Sequence, residues 1–72
     1  MQNVPVKLLD VVALLVDKPS EGLSAGQVGT VVEVFAPDAF EVEFLDAKGK
    51  TVALAELKRS ELLVLRHEGV AA

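Results

Sequence analysis

A small, single-domain, mostly-β fold is what this sequence predicts, and three observations predict it. The chain has 72 residues, which is room for one domain. Phe40-Glu41-Val42-Glu43-Phe44 alternates apolar and charged residues without a fault, the period of a half-buried strand. Short apolar runs elsewhere are separated by Gly, Pro and Asp rather than by residues that continue a helix.

Met1 to Val6, with Pro5, has no pattern and reads as a frayed lead-in. Lys7-Leu8-Leu9-Asp10 is a candidate single helical turn. Val11-Val12-Ala13-Leu14-Leu15-Val16 follows, and its three valines and the abrupt stop at Asp17-Lys18-Pro19-Ser20 favour a strand. A helix over Lys7 to Val16 is the alternative, because periodicity cannot separate the two over so short a run.

From Pro19 to Gly29 the chain is irregular. Val28-Gly29-Thr30-Val31-Val32-Glu33-Val34-Phe35 is then the strongest strand, with Val28, Thr30, Val32 and Val34 on one face and Gly29, Val31, Glu33 and Phe35 on the other. Ala36-Pro37-Asp38 turns the chain into Phe40–Phe44, where the three apolar residues face the core and Glu41 and Glu43 face water. Asp46-Ala47-Lys48-Gly49 reads as a type I turn with Gly49 in a left-handed bulge position. That turn sets Phe44 opposite Val52 and Val42 opposite Leu54, all facing inward. Lys58-Arg59-Ser60-Glu61 reads as one 3-10 turn, Leu62-Leu63-Val64-Leu65 as the closing strand, and Arg66 to Ala72 as a tail, its end from His67 frayed. Five short strands, a long first loop, a tight central hairpin and a 3-10 turn before the last strand are the layout of an SH3-like barrel.

The segments Leu8–Leu14, Gly26–Val32 and Phe40–Phe44, with Gly49, Leu57 and Leu62, together resemble a bacterial family known as domain of unknown function 4926. The resemblance spans nearly the whole chain and implies a small SH3-like barrel. It brings no activity and no assigned residues. The Gly-x-x-Gly-x-Val segment at Gly26–Val31 also looks like the KOW element of ribosomal and transcription proteins, without the basic residues that usually stand beside that loop.

Composition narrows the function classes. Cysteine is absent and His67 is the lone histidine, so the chain offers neither a disulfide framework nor a zinc site. A net charge of −4 and a pI near 4.8 oppose contact with a phosphate backbone. Hydrophobic residues make up 51% of the chain and mean hydropathy is +0.44, high for a soluble domain this small. Packing that much Val and Leu favours self-association or a partner. The apolar run Leu8–Val16 contains Asp10, so it is read as part of the domain and not as a signal peptide, and it is too short to span a bilayer. The expected compartment is the cytoplasm.

Four constellations bear on chemistry. Glu33, Glu41 and Glu43 line up on the outer face, which reads as a solvated surface; oxygen-only metal sites need more convergent ligands. Ala53 and Ala55 fall opposite Glu43 and Glu41 in the expected register. With Val31, Leu45 and the three glutamates they make a docking face for another protein. Lys48, Lys50, Lys58 and Arg59 would form a basic patch if the hairpin tip and the 3-10 turn were neighbours, the footprint of a KOW-like nucleic-acid binder. Nucleic-acid barrels add exposed aromatics for stacking, and the chain has no Trp and no Tyr. Ser20, Ser24, Ser60 and His67 are the ingredients for nucleophilic catalysis, with nothing in the sequence to orient them. The expectation is therefore a protein without catalytic residues or cofactor. It acts, through that outer face or an exposed strand edge, as a protein–protein interaction or accessory module, of which a neutralising partner for a cognate protein is one form.

Overall fold

The computed structural model describes residues 5–65. Five antiparallel strands form one sheet: β1 (Val11–Leu14), β2 (Val28–Ala36), β3 (Ala39–Leu45), β4 (Thr51–Lys58) and β5 (Leu62–Val64), in the order β4-β3-β2-β1-β5. Two 3-10 turns, Pro19–Glu21 and Arg59–Glu61, punctuate the loops. The mostly-β class and the strand count match the sequence reading. Closure does not: β4 and β5 end the strand order and are not hydrogen-bonded to each other. The sheet is open and barrel-like at most: the three residues of β5 pair with β1, and no pairing among the described residues joins β5 to β4.

Val11–Leu14 is strand, so the helix alternative for that region falls. The 8–9 region forms a turn in which the Asp10 N–H donates to the Lys7 carbonyl (3.0 Å) and the Lys7 N–H to Asp10 Oδ2 (2.8 Å). Val6, assigned above to a frayed end, is buried and joins the core. Arg66 and the residues after it, including His67, lie outside the described residues.

One face of the sheet carries the core. Val12, Leu14, Leu23, Val31, Phe40, Val42, Phe44, Ala55, Leu57, Leu62 and Val64 are all buried there, the apolar burial that drives so short a chain to fold. Phe40, Val42 and Phe44 point inward together, as their alternation predicts.

The β3–β4 hairpin starts as its turn chemistry predicts. The Gly49 N–H donates to the Asp46 carbonyl (3.0 Å), Gly49 takes φ +85°, and Asp46 Oδ1 accepts from the Lys48 and Lys50 N–H groups. Leu45 faces Thr51 in that register. A bulge then inserts one residue, and from there Phe44 pairs with Ala53 and Val42 with Ala55. Shifting the register by one residue turns every side chain to the opposite face. Val52 and Leu54 therefore point outward, 54% and 55% exposed. Ala55 and Leu57 take the inner positions, with Ala53 packed against the same core.

Candidate docking face

The outer face of the sheet is built in rows, because residues directly opposite on antiparallel strands share a face with Cβ atoms about 5 Å apart. One row runs Leu63–Ala13–Val28 across β5, β1 and β2. Gly29 pairs with Phe44, so Val28 and Leu45, one step along each strand, extend this row onto β3, with Val52 of the bulge beside it. A second row runs Val11–Thr30–Glu43–Leu54 across β1 to β4. A third runs Glu33–Glu41–Glu56 across β2 to β4. Val11, Val28, Leu45, Val52, Leu54 and Leu63 are all exposed. The face therefore has an apolar half and an acidic margin. Toward the hairpin end of the face, the Thr51 hydroxyl donates to a Glu43 carboxylate oxygen.

Of the residues assigned to a docking face from sequence, Glu33, Glu41 and Glu43 do lie on the outer face. Val31, Ala53 and Ala55 do not. Val31 is fully buried opposite Val42, Ala55 is 3% exposed, and Ala53 is half-buried against the core. The hairpin bulge accounts for the two alanines. Val31 has another cause: β2 has no clean alternation, and its bulges between Val31 and Glu33 and between Val34 and Ala36 change which face each valine meets. Leu45, also assigned there, is exposed as expected, and the residues missed were Val28, Val52 and Leu54. Glu56 beside Leu57 was the signal for β4, since a charged residue outside and a leucine inside set Leu54 and Val52 outward by parity.

The basic residues do not gather. Lys48 and Lys50 stand at the hairpin tip, and Lys58 and Arg59 lie at the far end of eight-residue β4, about 23 Å away at 3.3 Å per residue. The Arg59 guanidinium donates to the Leu62 carbonyl (2.9 Å). Lys58 lines a 420 Å³ groove with Lys18, Asp38, Ala39, Glu56, Leu57 and Glu61.

Within that groove Lys18 Nζ and Glu61 Oε2 are 2.8 Å apart. The Glu61 hydrogen bond raises the Lys18 pKa, and the Lys18 side chain together with the Lys58 N–H lowers that of Glu61. Both shifts hold the groups charged, as an ion pair that fastens the first loop to the second 3-10 turn would. A general acid or base is instead moved toward neutrality at its working pH. Ser20, Ser24 and Ser60 are exposed, on the first 3-10 turn, the loop after it and the second 3-10 turn. No group of three or more His, Cys, Asp or Glu residues placed to hold a metal occurs among the described residues, and no helix among them is long and apolar enough to cross a membrane.

The fold and surface define a class: a small open antiparallel sheet with a packed inner face and a half-apolar outer one. The family model described as Domain of unknown function (DUF4926) matches residues 8–64, and the chain belongs to that family. The matched span begins in the turn before β1 and ends with β5, so it is the whole sheet. Neither a curated protein nor a solved structure matches the chain.

Proposed function

We propose that this protein is a non-catalytic interaction module that docks another protein on the outer face of its sheet. The observation that carries the reading is the continuity of Leu63, Ala13, Val28, Leu45, Val52 and Leu54 across all five strands. Single exposed apolar residues on a small domain need no explanation, but a contiguous patch rimmed by charge is the anatomy of a recognition surface. The bulge strengthens the argument. It sends the larger Val52 and Leu54 to the outside and leaves Ala53 and Ala55 within, which a monomer selected only for stability has no reason to do. A neutralising or accessory partner role fits the charge and size. A chain with no cysteine suits a reducing compartment such as the cytoplasm.

The test is affinity capture from extract of the native host with the wild-type chain, Val28→Lys and Leu54→Lys. Both positions are exposed, so each variant should keep its circular dichroism spectrum. The account expects a protein retained by wild type at fixed stoichiometry and lost with both variants. Retention of the same proteins by all three chains contradicts it.

A further inference from the structure

Among the described residues, the outer edge of β4 is a long strand edge with no strand paired to it. β4 has eight residues, is hydrogen-bonded to β3 on one side, and ends the strand order; the other terminal strand, β5, has three. Natural edges are blunted by proline, by inward-pointing charge, by bulges or by extreme shortness. β4 contains no proline, its inward residues are Ala53, Ala55 and Leu57, and its bulge at Val52 lies near the hairpin end and leaves Ala53 to Lys58 in regular register. Its outward residues Val52 and Leu54 belong to the apolar half of the docking face. Glu56 ends the acidic row.

We propose, resting on the docking-face reading, that β4 accepts an extended segment of the partner as a sixth antiparallel strand. We further propose that the outer-face rows select a segment patterned basic-x-apolar-x-apolar. Main-chain hydrogen bonds would supply the attachment and alternate side chains the specificity, as in other strand-addition complexes. The pattern follows from register. An antiparallel strand beside β4 runs opposite to it, so the residue facing Glu56 comes first, the one facing Leu54 two positions later, and the one facing Val52 two after that. The first position continues the row Glu33–Glu41–Glu56, three carboxylates directly opposite one another across β2, β3 and β4. Like charges directly opposite destabilise a sheet, and a Lys or Arg there relieves them. The other two positions continue an apolar patch. The intervening residues pass Ala55 and Ala53, whose size imposes little.

Charge complementarity also argues against a second copy as the occupant. If two β4 strands pair with their outer faces on one side, the two-fold axis must pass through a residue. An axis at Glu56 sets that carboxylate against its own copy. An axis at Leu54 or Ala55 sets Glu56 opposite Val52 or Leu54 and leaves the acidic row without a cation in each copy, with each chain carrying net charge −4. An axis at Ala53 brings Glu56 to Lys50 only beyond the end of the strand, and an axis at Leu57 brings it to Lys58 only by pairing the last three residues of β4.

The test is a titration of the ¹⁵N-labelled full chain with a capped synthetic peptide, Thr-Arg-Thr-Val-Thr-Leu-Thr, followed by amide shifts and hydrogen exchange. Its controls are a peptide of reversed order and the variants Glu56→Gln and Ser20→Ala. The expected result is shifts centred on β4 and slowed exchange of alternate β4 amides. Affinity should fall about threefold in Glu56→Gln, fall with the reversed peptide, and stay unchanged in Ser20→Ala, an exposed position on the first 3-10 turn. Absence of β4 shifts at about 1 mM peptide, or equal binding of the reversed peptide, overturns the proposal. So does a peptide-free chain that sediments as a dimer with its β4 edge already protected. If the peptide fails while Val28→Lys still abolishes partner capture, the docking face stands and strand addition falls; if capture is also unaffected, both fall.

Discussion

Phe44 lies directly opposite Gly29 across the β2–β3 ladder, and a side chain at Gly29 would collide with it. A Cβ built there sits 2.7 Å from the Glu43 carbonyl oxygen, 2.7 Å from Val42 Cγ1 and 2.9 Å from Phe44 Cδ2. The glycine is what lets the largest fully buried side chain of the core lie close over the neighbouring backbone. Gly29→Ala is therefore expected to destabilise by at least about 2 kcal/mol, the scale of overpacking a tight core. Urea unfolding followed by circular dichroism checks this, and a midpoint shift near zero contradicts it.

The row Glu33–Glu41–Glu56 predicts a protein held below its attainable stability by its own surface. Glu41 is the middle member, with a carboxylate on each side. Glu41→Lys replaces two repulsions with two attractions and should stabilise by about 0.5–1 kcal/mol. Added salt should raise the stability of wild type and do less for the variant, because screening removes what the substitution has already removed. Thermal melts with and without salt read both effects.

Glu61 joins three parts of the chain. Its side chain accepts from the Lys58 N–H (2.9 Å) and pairs with Lys18, while its carbonyl accepts from the Leu15 N–H (2.8 Å). Its folded pKa lies below the ordinary 4.5, so its contribution is present above that value and is lost as pH falls through the lower, folded one. The Lys18 pKa is raised above 10.5, so its share holds below that value and is lost as pH rises through the folded one. Both contributions coexist across the neutral range. Glu61→Gln should lower the melting temperature by a constant amount there, with the gap to wild type closing as pH falls below 4.5 and through the lower, folded value. A gap that persists in acid contradicts the assignment.

Leu9 is the sole non-glycine residue with positive φ among the described residues, at +72°, and it is 69% exposed. The left-handed conformation costs an L-residue about 1–2 kcal/mol, and glycine's greater chain entropy returns part of that gain. Leu9→Gly should therefore stabilise by about 0.5–1 kcal/mol in urea melts. A loss of stability would mean that the leucine side chain holds the turn.

How much of this was legible in the sequence depended on whether polar residues marked the parity. In β3 two glutamates alternate with three apolar residues, and the inward set was readable without ambiguity. The Asp46–Gly49 turn was readable from its residue types, and Leu45 opposite Thr51 is the register that turn demands. The bulge at Val52 was not, because Val-Ala-Leu-Ala offers apolar residues to either face; only Glu56 and Leu57, further along, discriminate. β2 is almost wholly apolar, and its two bulges leave no alternation to read. The open sheet was hidden as well, since closure depends on how far β5 extends, and a run of four apolar residues does not say that three of them pair with β1. The docking face was thus assigned to the correct side of β3 and to the wrong side of β4.

The orientation of β4 is the claim on which the docking face and strand addition both depend, and a chain without native cysteine allows it to be read directly. Single substitutions Val52→Cys, Ala53→Cys, Leu54→Cys and Ala55→Cys can be labelled with a thiol reagent under native conditions, each rate compared with that of the unfolded chain. The account predicts fast labelling at positions 52 and 54 and strong protection at 55, with 53 between. Protection at 52 and 54 with free reaction at 53 and 55 would contradict it.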